Sequence, residues 1–339
     1  MWLSGRTAES TYDSVAISAA HVYRECDSNP VYSELDRLLE GRGRVSLRQV
    51  LSLGRSEAAS TTEELFAQKP MTEPSPSSAF VPLSEGRYLA TLLTRGPWDL
   101  GHQHAGPPIA LVLGAIERVA AQREMMHIAR LTANLFRPIP IGQLSIEVGV
   151  DYAGRNSAHI SASLHAADKE VARFTGLAQR MVNEPVSRGL AGHPWPQAPR
   201  SPDNSPPARF PFEHRQLCYF DLVETRVAAG GIFNGPSAVW FRLNHPIVAD
   251  EVPSVYQRVA VAADSGNGVS AVLDPRHFLF VNSDLTINLL RRPRGEWVCL
   301  EARSLLGDEG SGLAESVLYD IGGVIGRATQ SLFVRKRKG

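Results

Sequence analysis

The chain contains little cysteine, and its charges balance. Its 339 residues include only three cysteines, which are too few and too scattered for a disulfide framework or a Cys-x-x-Cys metal site. Lysine plus arginine equals aspartate plus glutamate at 35 each, so no overall field favours nucleic acid or an anionic membrane surface. We therefore expect a protein of a reducing compartment that has no nucleic-acid partner.

Long apolar runs and the common hydrolase motifs are also missing. No apolar run approaches the length of a membrane span, and the first twenty residues lack the apolar core of a secretory signal. This predicts a cytoplasmic protein without membrane insertion. A Gly-x-Ser-x-Gly elbow is absent, which argues against a serine nucleophile. His-Glu-x-x-His is absent, and His102 and His104 have no third ligand at a suitable spacing, so we expect no metal site.

Two breaks divide the chain. Residues 1–78 read as a partly helical extension that ends in a disordered linker, "MTEPSPSS", and Met71 is an alternative start. In this extension, Asn29 and Pro30 are placed to begin a helix. Residues 184–211 hold eight of the 23 prolines and read as a linker between two halves, 79–183 and 212–335. Residues 336–339 belong to a basic run that begins at Arg335, which we interpret as a solvated tail.

The two halves repeat each other at an offset of 154 residues. "LTANLFRP" (131–138) matches "LTINLLRR" (285–292) at five of eight positions, and the same offset relates Glu147 to Glu301. The alternation of apolar and polar residues also stays in phase. A shared register of this length indicates an internal duplication.

Each half has the same coarse order of a strand, an apolar helix and several long alternating segments. The first helix is predicted over 106–122, and the second is predicted to be shorter and to begin after Asp264. One helix laid against a long antiparallel sheet, twice, is an α+β architecture.

A carboxylate interrupts an apolar run in "VAADSGNGVSAVL", residues 261–273. Burying an unpaired carboxylate is costly, so Asp264 is either a helix cap or a carboxylate at the edge of an apolar cavity.

Four segments, taken in order, resemble the acyl-CoA thioesterase II (TesB-like) family of double hotdog thioesterases. They are "HAGP" (104–107), "DSGNG" (264–268), "NSDLTINLLR" (282–291) and "RATQSLFV" (327–334). The resemblance spans about residues 80–335. It implies two tandem hotdog repeats, each a central helix wrapped by its sheet, and hydrolysis of fatty acyl-CoA without a metal or organic cofactor.

The resemblance also implies a site in which an Asp, a Thr or Ser, and a Gln hold a water molecule. The matching positions are Asp264, Asn282 and Gln330, and Asn282 departs from the family's hydroxyl. The neighbouring Ser283 is the other possible match for this position. An amide both donates and accepts hydrogen bonds, so Asn282 can still hold a water molecule.

Each of these three residues also has a structural reading. Asp264 suits a helix cap, Asn282 suits a turn, and Gln330 suits a solvent-facing strand position. At the 154 offset, however, Asn282 and Gln330 correspond to Ile128 and Gly176. Polar groups that occur only in the second repeat favour one reaction centre for each duplicated chain.

The start of the first helix is the candidate site for binding the thioester carbonyl. His104, Ala105 and Gly106 lie there, and backbone N–H groups at a helix N-terminus suit a developing oxyanion. We expect Gly268 and Ser283 to bind substrate as well. For His104 and His102, a packing or helix-start role is the alternative.

Two other functions remain open. A hotdog enoyl-CoA hydratase or dehydratase needs an Asp and a His close together, and the His that follows Asp264 in sequence, His277, lies thirteen residues on. A non-catalytic acyl-CoA or lipid-binding protein would keep the fold and lose turnover, as Asn282 suggests. The expected partners are an acyl-CoA and a second copy of the chain in a homodimer.

Overall fold

The structure is a computed structural model that describes residues 76–182, 199–208, 210 and 216–337. The helix expected near Asn29, the alternative start at Met71 and most of the proline-rich link lie outside the described residues. The first strand begins at Phe80, where the strand-like sequence begins.

The first repeat contains one long helix and six strands. Helix α1 spans Gly106–Ala121, as predicted within one residue. It begins with two prolines, which fit the first turn, and it is buried continuously from Gly106 to Ile116 because it is apolar all round. The strands are β1 (Phe80–Ser84), β2 (Arg87–Ala90), β3 (His127–Leu135), β4 (Gln143–Ala153), β5 (Ser157–Ala166) and β6 (Lys169–Gln179).

The second repeat follows the same order, with one additional strand and two additional short helices. Its strands are β7 (Val223–Ala229), β8 (Ser237–Leu243), β9 (Phe278–Asn282), β10 (Asp284–Leu289), β11 (Val298–Leu306), β12 (Ser311–Asp320) and β13 (Gly323–Lys336). Its helices are α2 (Tyr219–Leu222), α3 (Val255–Ala263) and α4 (Gly266–Val269). The additional elements are β9, α2 and α4. Strand β12 lies 154 residues after β5 at both ends, so the duplication inferred from the sequence is confirmed.

Twelve of the described strands form one antiparallel path with mirrored halves. The order is β1-β2-β4-β5-β6-β3-β10-β13-β12-β11-β8-β7, and β9 pairs separately with β13. The repeats join where β3 pairs with β10, and Thr132 lies opposite Thr286 with its hydroxyl oxygen 3.2 Å from the other. These two threonines are equivalent at the 154 offset, so a pseudo-twofold axis passes between them. The sheets of the two repeats therefore pair edge to edge within one chain. This pairing does not require a second copy, and the homodimer stays a prediction.

The two central helices pack antiparallel against each other inside the sheet. The Gln257 side chain of α3 donates to the Ala110 carbonyl of α1 at 3.1 Å. Nearer the start of α1, a methyl group at Gly106 would lie 3.0 Å from the Val261 carbonyl oxygen. Only glycine at position 106 allows so close an approach, and the start of α1 therefore lies beside the end of α3.

The second central helix lies before Asp264, which corrects the expectation that it begins after this residue. Ser254 caps α3, since its hydroxyl accepts from the Gln257 N–H at 3.0 Å while the Gln257 side chain accepts from the Ser254 N–H at 2.9 Å. This Ser-x-x-Gln capping box was readable from the sequence. Asp264 is the residue at the C-terminal end of α3.

The basic run is not a solvated tail as a whole, which is a second correction. Arg335 and Lys336 belong to β13, where they pair with Leu279 and Phe278 of β9. The backbone of Arg337 donates to the His277 carbonyl, and its side chain donates to the Pro275 carbonyl at 2.8 Å. Pairing with β9 holds this segment against the second repeat. Within the described part of the chain, no helix is long and apolar enough to cross a membrane.

An ion pair with a fully buried carboxylate fastens the end of β10 to the turn between β12 and β13. Two nitrogens of Arg291 bond the two Asp320 oxygens at 2.6 Å each, and the Asp320 side chain is 0% exposed. The backbone N–H groups of Gly322 and Arg294 donate to the same carboxylate. The carboxylate is therefore fully satisfied.

We predict that Asp320→Ala lowers the free energy of unfolding by about 3–5 kcal/mol, because it removes a buried acceptor from the partly buried Arg291 and from two backbone N–H groups. Urea unfolding measures the change. Glu315→Ala is the matched control, because it breaks a pair with Arg303, whose side chain is 62% exposed. This control is expected to cost less than about 1 kcal/mol, and equal losses for the two variants would contradict the assignment.

A carboxylate also links the other ends of the central helices. Glu117 of α1 accepts from the Ser254 hydroxyl at 2.6 Å. Burial raises the pKa of the Glu117 carboxyl to about 7 from 4.5, although Ser254, Arg292 and Arg118 act in the opposite direction. The folded protein therefore holds a proton on Glu117 at pH values where the unfolded chain has lost it.

From this we predict a pH dependence of stability. The contribution of Glu117 is full below pH 4.5 and is lost as the pH rises through about 7, so the free energy of unfolding falls across that window. Glu117→Gln should flatten this fall, as measured by urea unfolding at several pH values. An unchanged slope in the variant would refute the role of Glu117.

Candidate active site

Asp264 accepts hydrogen bonds from three side chains of distant segments. His104 Nδ1 lies 2.9 Å from Asp264 Oδ2, and Asn282 Nδ2 lies 2.9 Å from Oδ1. Gln330 Nε2 donates to the Asp264 backbone carbonyl at 3.0 Å and lies 3.4 Å from Oδ1. The Asp264 side chain is 4% exposed. Of the two alternatives that the sequence left for Asp264, the structure therefore supports a carboxylate at the edge of a cavity and not an N-cap.

Strand register explains why Asn282 and Gln330 meet. Asn282, the last residue of β9, pairs with Leu332 of β13. Gln330 lies two residues before Leu332 on the same strand, and side chains two apart share a face of the sheet. Asn282, Leu332 and Gln330 therefore point to the same side, toward the end of α3.

Gln330 connects the sheet to the helix end rather than facing solvent. It is 2% exposed, and its side-chain oxygen accepts from the Asn267 N–H at 2.9 Å. A methyl group at Gly266 would lie 3.0 Å from this oxygen and 3.0 Å from Ser316 Oγ. Glycine at position 266 thus lets the amide of Gln330 fit beneath α4.

The equivalent place in the first repeat is filled differently. A methyl group at Gly176 would lie 3.0 Å from Ile116 of α1. There the helix supplies the large side chain and the strand supplies glycine, whereas at Gln330 the strand supplies the large side chain and the helix supplies Gly266. This exchange explains why the polar contact exists in only one repeat.

His104 is held through its backbone and through one face of its ring. Its backbone N–H donates to the Thr94 carbonyl at 2.8 Å. The ring stacks on Tyr219 with centroids 3.8 Å apart and planes 4° apart. Tyr219 is itself held, since its hydroxyl donates to the Val261 carbonyl at 3.1 Å and lies 3.0 Å from Ser265 Oγ. Burial raises the pKa of the Tyr219 hydroxyl, so it stays neutral.

The contact between His104 and Asp264 requires a shared proton. A ring nitrogen and a carboxylate oxygen at 2.9 Å are both acceptors unless one of them carries hydrogen. When His104 Nδ1 carries this proton it donates to Asp264, and the Gly106 N–H, 3.2 Å from the same nitrogen, then finds no lone pair there to bond. In the described part of the chain, no protein group bonds the other ring nitrogen, Nε2.

A cavity of about 580 Å³ opens beside these groups. It is lined by six of the eight residues that the sequence singled out for catalysis or substrate binding: Asp264, Asn282, His104, Ala105, Gly268 and Ser283. Gln330 and Gly106 do not line it. The Gly106 N–H lies 3.2 Å from His104 Nδ1, so this amide points at the histidine rather than at the cavity.

His102 and His104, which are two residues apart, bond different carboxylates. His102 Nδ1 bonds Asp99 at 2.9 Å, whereas His104 bonds Asp264. Among the described residues, no group of three or more His, Cys, Asp or Glu side chains is arranged to hold a metal ion.

Sequence reasoning missed the pairing of His104 with Asp264 and the whole contribution of Tyr219. It sought a histidine near Asp264 in sequence and found only His277. No local spacing connects positions 104, 219 and 264, so the sequence held no signal for this contact. Arg137 and Arg337, which also line the cavity, were missed for the same reason.

Comparison with known proteins identifies both halves. Residues 94–179 match the acyl-CoA thioesterase N-terminal domain, and residues 197–334 match the acyl-CoA thioesterase C-terminal domain. Together the matches cover roughly two thirds of the chain. No curated protein sequence matches the chain.

Solved structures share the fold at low sequence identity. A candidate thioesterase of Novosphingobium aromaticivorans is 21% identical with a TM-score of 0.58, covering 77% of this chain and 99% of its own. Acyl-CoA thioesterase II TesB2 of Mycobacterium marinum is 16% identical with a TM-score of 0.56, covering 77% and 97%. A conserved hot dog fold protein of Alicyclobacillus acidocaldarius is 14% identical with a TM-score of 0.57, covering 77% and 97%. The α+β double hotdog fold implied by the resemblance is therefore confirmed.

Proposed function

Because the chain belongs to the acyl-CoA thioesterase family, we propose that it hydrolyses acyl-CoA thioesters by attack of a water molecule that Asp264 activates. The observation that carries this proposal is the convergence of Asn282, Gln330 and His104 on one buried carboxylate at the wall of a cavity. Such a group is poised to position and deprotonate water.

The bonds around Asp264 leave room for a water molecule. Its two side-chain oxygens offer about four lone-pair positions, of which three are taken by His104, Asn282 and Gln330. The water gives its proton to Asp264 as its oxygen bonds to the thioester carbon. The carbon–sulfur bond then breaks, and the proton passes to the departing thiolate, which yields a free acid and a thiol.

The start of α1 supplies the donor for the developing oxyanion. Pro107 and Pro108 lack N–H groups, and the Gly106 N–H points at His104. The Ala105 N–H remains, in a residue that lines the cavity. The positive end of the α1 dipole favours negative charge at this place.

Two arginines at the cavity suit the phosphates of coenzyme A. Arg137 donates through one nitrogen to the Glu170 carbonyl at 3.2 Å, and Arg337 donates through Nε to the Pro275 carbonyl at 2.8 Å. Both side chains are thereby held while other N–H groups remain for a ligand. Guanidinium groups pair well with phosphate, which supports a coenzyme A carrier.

We predict that Asp264→Asn lowers kcat for acyl-CoA hydrolysis by about 10²–10⁴-fold, because the base is lost while the hydrogen-bonding shape is kept. Release of free thiol from acyl-CoA measures the rate. Asp284→Asn is the matched control, because Asp284 lies two residues from Asn282, bonds the Ser331 N–H at 2.6 Å and does not line the cavity. The control variant should keep its activity.

The same assay separates an enzyme from a binding protein. If Asp264→Asn releases thiol as fast as the unaltered chain, Asp264 is not the base. Saturable acyl-CoA binding without thiol release by the unaltered chain would establish the non-catalytic alternative instead.

A second candidate function gains support from one observation. Hydration of an enoyl-CoA needs an Asp and a His close together, and the 2.9 Å contact between Asp264 and His104 provides that pair. The sequence argument against a hydratase, which rested on the distance to His277, is therefore removed.

Thioester hydrolysis still fits the family better, and a direct assay separates the two reactions. The substrate is a 2-enoyl-CoA of medium chain length, and the ultraviolet absorbance of its conjugated double bond is monitored. We expect thiol release without prior loss of this double bond. Loss of that absorbance without thiol release, abolished in both Asp264→Asn and His104→Gln, would establish the hydratase instead.

A further inference from the structure

We infer that the acyl group this protein prefers carries an aromatic ring. The inference rests on the proposed thioester hydrolysis at Asp264, and it names the chemical class of the substrate. It is carried by the wall of the cavity, whose composition differs sharply from that of the rest of the chain.

Aromatic side chains are concentrated in this wall. Aromatic residues make up only 7% of the chain, yet they supply nine of the thirty residues that line the cavity. Seven of the twelve phenylalanines are among them. A wall formed to accept any apolar chain would not need this bias, because aliphatic side chains bury apolar area equally well.

The rings contact one another in two continuous runs. In one run, Trp98 meets Phe233 edge-on with centroids 6.2 Å apart, and Phe233 meets Phe280 at 6.5 Å. Both contacts are tilted, as aromatic pairs prefer. A ring that enters beside them extends the same pattern.

The second run leads to the reaction centre. Phe210 lies 4.0 Å from Phe220, Phe220 meets Tyr219 edge-on at 5.7 Å, and Tyr219 stacks on His104. His104 bonds Asp264. An acyl group whose carbonyl lies at Asp264 is therefore close to aromatic faces and edges.

A ring also gains more than a linear chain at such a wall. Aromatic contacts of good geometry stabilise beyond the burial of area, whereas an alkyl chain gains area alone and loses rotamer freedom when it is ordered. No residue of α1 lines the cavity. The cavity therefore does not continue along this central helix, as a long channel would.

The test compares three acyl-CoA substrates with nine acyl carbons each. They are 3-phenylpropanoyl-CoA, 3-cyclohexylpropanoyl-CoA, which has a ring of similar size without π electrons, and linear nonanoyl-CoA. We expect kcat/KM for the phenyl substrate to exceed both others by about tenfold, the size of one or two aromatic contacts. Equal values, or a preference for the linear or cyclohexyl chain, overturn the inference.

Equilibrium binding keeps the inference separate from the proposed function. The three acyl groups are also presented as non-hydrolysable thioethers of coenzyme A, and dissociation constants are measured by calorimetry. If no substrate releases thiol, the proposed hydrolysis fails, and the thioether affinities alone decide the ring preference by the same tenfold criterion.

A pair of variants locates the preference in the wall. Phe233→Leu combined with Phe280→Leu keeps apolar side chains but removes two rings, and it should lower the phenyl-to-nonanoyl ratio at least fivefold. Leu279→Val is the matched control, because Leu279 precedes Phe280 in β9 and lines the same cavity. It should change both substrates by the same factor. An unchanged ratio in the double variant contradicts the inference.

Discussion

The carboxylate of Asp264 at the end of helix α3 is the constraint on which the site depends. The C-terminal end of a helix carries partial negative charge and disfavours an anion. Antiparallel packing compensates for this, because it brings the N-terminal end of α1 and the ring of His104 to the same place. Asn282 and Gln330 add hydrogen bonds from the sheet to the same carboxylate where it borders the cavity.

Duplication supplied two ends of the helix pair, and the cavity borders only one of them. At the opposite end, Glu117 bonds Ser254, and the His127 ring bonds Tyr256 at 3.1 Å, so the polar groups there link elements to each other. The exchange of Gly176 and Ile116 for Gln330 and Gly266 is the change in packing that admits an amide beneath one helix end. A small residue on one element and a large one on the facing element fill the same volume, so this asymmetry costs little packing.

Several features of the fold were predictable, because they depend on local patterns. Alternating side chains marked the long strands, and the 154-residue offset marked the repeat, whose β5 and β12 match it at both ends. The predicted position of the second helix, after Asp264, was wrong because Asp264 resembled an N-cap, while the true cap, Ser254 with Gln257, was overlooked. Of the site, Asp264, Asn282 and Gln330 were found through motifs, and the structure brings these three together.

The amino-acid sequence by itself therefore determined the strands, the position of the repeat and the identity of the key carboxylate. Each of these depends on residues a few positions apart or on one fixed offset. Folding alone decided that His104 bonds Asp264, that Tyr219 supports its ring, and that seven scattered phenylalanines share one cavity. These residues meet because the strands and antiparallel helices of two repeats close on one another. No spacing along the chain records a contact between such distant segments.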